Sequence, residues 1–149
     1  MADNEKVSLI FKSFREVNQA FHHAIGKWLD DFELTPIQLF VLKTLSQHPR
    51  ISLSELADEI HIGSSAASGI VERLVKMEAV KRERLESDRR SVALVLTPKG
   101  EEMLKQASER SMSRFYPALD LSDEEVDDLL RLHQLIVKKI TESGEWQKK

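Results

Sequence analysis

The chain has 149 residues, 41% hydrophobic and 32% charged, which suits one domain with a genuine core and excludes two large ones. With no cysteine, it is excluded from disulfides, thiolate metal sites and thiol-based redox sensing. The net charge of −3 argues against a nucleic-acid binder only until it is divided: residues 73–99 hold eight basic and four acidic side chains, +4, leaving −7 for the remainder. Local field decides where a polyanion docks, although such charge runs are also the ordinary make-up of a solvated face. No run of about 18 apolar residues marks a membrane span. The polar start Met1–Lys6 is not followed by a secretory apolar region. A cytoplasmic protein without membrane attachment is expected.

The first segment places Val7, Ile10, Phe11, Phe14, Val17, Phe21, Ile25, Trp28 and Phe32 at three- and four-residue steps. That spacing predicts a long amphipathic helix whose apolar stripe needs a partner. Thr35-Pro36-Ile37-Gln38 reads as a capping box with proline at the first helical position; the helix runs to about Gln47 and ends at His48-Pro49. Ser52-Leu53-Ser54-Glu55 is a second capping box, opening a helix of roughly eight residues through Leu56, Ala57 and Ile60. After His61-Ile62-Gly63 another helix sets Ala67, Ile70, Val71 and Leu74 inward. Two short helices joined by a tight turn make a helix-turn-helix, and the second would be the reader.

On that reader, Ser64, Ser65, Ser68, Gly69, Glu72 and Arg73 fall away from the apolar face. Serine hydroxyls can hydrogen-bond bases or phosphates, glycine permits close backbone approach, and arginine can fork onto a guanine. The plainer alternative is that Ser64 caps the helix and the others face solvent. Val80–Leu85 and Ser91–Leu96 have the alternating, β-branched character of a hairpin, with Glu86-Ser87-Asp88-Arg89-Arg90 as a polar tip. An arginine there can enter a narrow minor groove, and Asp88 suits holding Arg90 extended by a charge-assisted hydrogen bond. A solvated turn is the alternative.

Thr97 is an expected N-cap of a helix carrying Met103, Leu104, Ala107, Ser111, Met112 and Phe115 and stopping at Pro117. Ser122-Asp123-Glu124-Glu125 is a third capping box, and Val126, Leu129, Leu130, His133, Ile136, Val137 and Ile140 form the apolar face behind it. With the first helix, these offer more apolar stripe than one compact winged helix needs, which points to a helical dimerisation layer. His22 and His23 are adjacent and face different ways, and His133 reads as a satisfied core or interface group, so no metal and no cofactor is expected. No phosphate-cradling glycine loop, G-x-S-x-G or cysteine nucleophile suggests an enzyme.

The run from the helix-turn-helix through Asp88-Arg89-Arg90, six residues after Arg82, to Leu96-Thr97-Pro98-Lys99-Gly100 resembles the MarR family of bacterial transcription regulators. The flanking helices agree, so the resemblance spans nearly the whole chain. One departure stands out. The family often carries a glycine where the reading helix ends, and this chain has Met77-Glu78-Ala79.

The resemblance implies a mainly α fold with a small β wing: a winged helix-turn-helix over 36–98, with 1–34 and 98–144 forming a helical dimerisation region of a single 1–149 domain. It implies a homodimer on a near-palindromic site, with reading helices about 34 Å apart. It places Ser64, Ser65, Ser68, Gly69 and Arg73 at the major groove, Arg89 and Arg90 in the wing with Asp88 orienting one of them, and Ser52 and Ser54 near phosphates. Arg82 and Arg84 are weaker candidates, with pairing to Glu83 or Glu86 as their other role. The expected function is a sequence-specific double-stranded DNA-binding regulator, a repressor released by a small aromatic effector. Phe21, Trp28, Phe32 and Phe40 are candidates to line the effector pocket, although their helical spacing favours core positions. A winged-helix protein adaptor and a nonspecific architectural DNA binder are the alternatives.

Overall fold

A computed structural model of the chain describes residues 2–85 and 88–144, and for Leu85 and residues 88–90 the backbone alone. Two compact units are present, Met1–Ser113 and Arg114–Lys149. In the first, helix α1 spans Asp3–Leu29 and tightens into a 3-10 turn at Asp30–Phe32. Only its end joins the core. Leu29 is fully buried and Ile25 and Phe32 pack beside it, whereas Val7, Ile10, Phe11, Val17 and Phe21 stay exposed.

Helix α2 (Pro36–Gln47) starts as expected: the Gln38 N–H donates to Thr35 Oγ1 at 3.3 Å and the Thr35 N–H donates to Gln38 Oε1 at 2.9 Å. Its Val41, Leu42 and Leu45 pack with Leu56 of α3 (Leu53–Glu59) and with Val71 and Leu74 of α4 (Ser64–Lys76) in one buried cluster. Each fully buried leucine contributes about 1.5–3 kcal/mol. At α3, half of the expected box forms, the Glu55 N–H donating to Ser52 Oγ at 3.1 Å.

Three strands make an antiparallel sheet in the order β1-β3-β2, with β1 Ile51–Ser52, β2 Val80–Leu85 and β3 Asp88–Leu96. Strand β1 was not expected, because two residues are too few to show alternation. Strand β3 starts three residues earlier than expected, taking Asp88, Arg89 and Arg90 out of the tip and into the ladder, where Asp88 lies opposite Leu85 across a bulge. Glu86 and Ser87 lie outside the described residues.

Helix α5 (Pro98–Ala118) is fastened to the end of α4. Thr97 Oγ1 donates to the Glu78 carbonyl at 2.5 Å and accepts from the Gly100 N–H at 3.0 Å, and the Thr97 N–H donates to the Ala79 carbonyl at 3.1 Å. A Cβ on Gly100 would fall 2.0 Å from the Ala79 carbonyl oxygen, so this approach requires glycine. Farther along, Arg110 pairs with Asp31 at 2.8 Å and lies 5.8 Å over the Phe32 ring.

Pro117 does not stop this helix, which continues through Ala118. A proline in a last turn removes only one intrahelical donor, and the Leu119 N–H still closes on the Phe115 carbonyl at 2.8 Å. In the second unit, helix α6 (Asp123–Glu142) opens with the full Ser122–Glu125 box. Its Leu129, Leu130, Val137 and Ile140 are exposed, and so is His133, which is therefore not a core group within the chain.

Candidate nucleic-acid interface

The turn between α3 and α4 is closed by backbone bonds. The His61 N–H donates to the Asp58 carbonyl at 3.3 Å and the Ile62 N–H to the Ala57 carbonyl at 3.1 Å, with His61 left-handed at φ 55°. This pairing satisfies carbonyls at a helix end and lets the chain reverse within three residues. Gly63 then serves as the N-cap of α4, with no side-chain cap. Ser64 is therefore not the cap; it is the first helical residue, and its hydroxyl remains exposed.

Ala67, Val71 and Leu74 anchor α4 in the core, which leaves Ser64, Ser65, Gly69 and Arg73 exposed on its outer side and Ser68 half-buried. A Cβ at Gly69 would meet nothing within 4 Å, so no packing among the described residues calls for glycine there. Glycine within a helix costs about 0.5–1 kcal/mol relative to alanine, and no contact among the described residues offsets that cost. Glu72 is paired with Lys76 at 3.7 Å on the same outer side. At the start of α3, Ser52 is half-buried and engaged as a cap through its oxygen, while Ser54 is exposed in the first turn.

On β2, Arg82 and Arg84 are exposed. Neither pairs with Glu83, one of the two partners considered for them; the other, Glu86, lies outside the described residues. Glu83 instead holds Lys81 at 3.0 Å with one carboxylate oxygen and Arg50 at 2.8 Å with the other. The hydrogen-bonded Lys81 ammonium, and after it Arg50, holds the Glu83 carboxyl below the usual carboxylate range against the upward push of burial. The acid of β2 is thus occupied, and among the described residues Arg82 and Arg84 have no ion-pair partner. Asp88, Arg89 and Arg90 belong to β3 by backbone, but their side chains, and with them the proposed Asp88–Arg90 contact, lie outside the described residues.

Arg50 carries no mark in the sequence. It follows Pro49, takes a left-handed φ of 64°, and meets a partner 33 residues away. Of the aromatic residues proposed for an effector pocket, Phe21 and Phe40 are exposed, Trp28 is half-buried, and Phe32 is half-buried and packed against the core.

Residues 34–92 match the MarR family. Over 142 residues the chain is 28% identical to the HTH-type transcriptional regulator MgrA of Staphylococcus aureus, covering 95% of this chain and 96% of that one. Together these matches support the MarR family for this chain. MarR proteins are transcriptional regulators and not enzymes. A mutant MarR from E. coli crystallised with operator DNA superposes with a TM-score of 0.82 at 22% identity, covering 91% of this chain and 99% of that one. Staphylococcus aureus MarR in complex with salicylate and kanamycin gives 0.78 at 18% identity, with 93% and 94% covered. These two likenesses carry the fold, a winged helix-turn-helix with flanking helices.

Proposed function

We propose that this chain is a homodimeric repressor that binds a near-palindromic operator in cytoplasmic DNA and releases it when a small aromatic effector binds. The observation that carries the reading is the outer side of α4, where exposed Ser64, Ser65 and Arg73 flank a glycine with open space before it. Small hydroxyl side chains and an open backbone let base edges approach, and Arg73 supplies the forked donor that suits guanine. Arg84 and Arg82 add positive charge on the adjoining strand, with Arg89 and Arg90 assigned to the groove-entering wing and Asp88 to orienting one of them. Ser52 and Ser54 at the start of α3 are assigned to phosphates.

Exposed apolar side chains along α1 and α6 support dimer formation, since each helix carries a stripe that a second copy would bury. Operator DNA in the E. coli relative and salicylate in the Staphylococcus aureus relative support the two ligand classes.

The test is selection of binding sites from random duplex DNA, followed by affinity measured over a salt series. A near-palindromic consensus and a steep fall of affinity with salt are expected. Arg90→Ala should weaken binding by roughly tenfold, the size of one lost arginine contact. Salicylate should lower the affinity, and a reporter gene behind the selected site should be silenced by the protein. Salt-independent or absent DNA binding would overturn the reading.

A further inference from the structure

Among the described residues outside the reading helix, Arg50, Glu83 and Lys81 form a tertiary ion cluster that the proposed function does not use. Arg50 lies in the turn before β1, and Glu83 lies on β2, yet β1 and β2 are not neighbours: β3 runs between them. The Arg50 guanidinium therefore reaches across the central strand to meet Glu83 at 2.8 Å, while Lys81 secures the other carboxylate oxygen at 3.0 Å. In the register Ala93 sits between Ser52 and Glu83.

The left-handed φ of 64° at Arg50 is disfavoured for a residue with a Cβ, so the turn is held in a form that aims this side chain over the sheet. Ser52, two residues later, caps α3. The clasp consequently joins the wing's first strand to the segment that leads into the helix-turn-helix.

We infer that Arg50, Glu83 and Lys81 form a brace that sets the wing relative to the start of α3, and that Arg50 and Glu83 are positioning residues for duplex recognition. The inference rests on the DNA-binding reading above. Two DNA-contacting parts that must engage one duplex together lose specificity when their relative placement loosens, because phosphate contacts fix register for base readout. An exposed ion pair has little effect on global stability, so the brace acts on local placement and not on whether the chain folds.

The test compares Arg50→Gln, Glu83→Gln and the exchanged pair Arg50→Glu/Glu83→Arg in the full-length protein. Two quantities are read: the ratio of affinity for a selected site to that for random DNA, and amide hydrogen exchange in β2 and β3 of the free protein. Charge alone moves specific and nonspecific affinity together, and moves them in opposite directions for the two single variants. A brace predicts that both singles lower the ratio by about 3–10-fold and speed exchange by about 2–5-fold, and that the exchanged pair restores both. Exchange that stays at the wild-type rate in both singles overturns the brace. A constant ratio in the singles, with faster exchange, overturns the positioning role. If the wild-type protein shows no preference for any selected site, the DNA-binding reading and the positioning role built on it fall together, and exchange alone then decides whether the clasp holds the wing.

Discussion

If α4 enters a groove as proposed, Gly69 separates the requirements of folding from those of binding. Its neighbours leave the Cβ position empty, so Gly69→Ala should raise stability to urea by about 0.5–1 kcal/mol through a better helix and a less flexible unfolded chain. The same methyl would stand between α4 and a groove, and affinity for a selected DNA site should drop several-fold. A variant that is both more stable and undiminished in binding would remove Gly69 from the interface.

Glu83 makes a second residue-scale prediction. Its carboxyl is held below the usual range by Lys81 and then Arg50, so its stabilising effect is present above the unfolded value of about 4.3 and is lost as pH falls through the lower folded value. An NMR titration of the Glu83 carboxyl should give a midpoint below that of an unpaired glutamate, and Lys81→Gln should move it upward. An ordinary midpoint insensitive to Lys81 would show that the contact is not formed in solution. The Arg50 pairing was not legible in the sequence, whereas Lys81, two residues from Glu83 on the same strand, shares its face by alternation. Arg82 and Arg84 flank Glu83 in the chain, yet alternation along a strand sends neighbours to opposite faces, and the partner came from across the sheet.

Helix ends show where local pattern succeeded and where it stopped. Thr35, Ser52, Thr97 and Ser122 all cap as their spacing suggested, because an N-cap contact spans only three residues. The other ends are less readable: Glu33, Arg50, His61 and Glu78 all adopt left-handed φ, a role for which glycine is the usual signal. At Glu78, the Ala79 N–H donates to the Leu74 carbonyl at 3.0 Å and the Glu78 N–H to the Val75 carbonyl at 2.9 Å, a closed helix end built on a residue with φ 60°. Met77-Glu78-Ala79 thus closes the helix in the left-handed form for which glycine is the usual residue.

Relief of the left-handed strain, about 1–2 kcal/mol, outweighs the greater freedom of an unfolded glycine, about 0.5–1 kcal/mol. Glu78→Gly should therefore stabilise the protein by up to about 1 kcal/mol in urea unfolding, with only an exposed 3.8 Å pair to Lys99 lost. Destabilisation would mean that the turn is not formed as described.

At the scale of the molecule, the exposed stripes of α1 and α6 bear on assembly. Leu130 is 52% exposed in the single chain, so Leu130→Lys costs the isolated subunit little. Sedimentation should nevertheless show the variant shifted from dimer toward monomer, with affinity for a two-fold DNA site falling by more than tenfold as one half-site is lost. An unchanged dimer would place the interface elsewhere.

Sequence alone determined the helices, their N-terminal caps, the hairpin and the outward-facing side of α4, because periodicity and capping operate within a few residues of one another. Tertiary structure decided what depends on distant residues meeting. Arg50 crosses a strand to Glu83, Gly100 lies against the Ala79 carbonyl, and a two-residue strand forms only because β3 offers it an edge. Such contacts are fixed by packing and register, which no local pattern of residue types encodes.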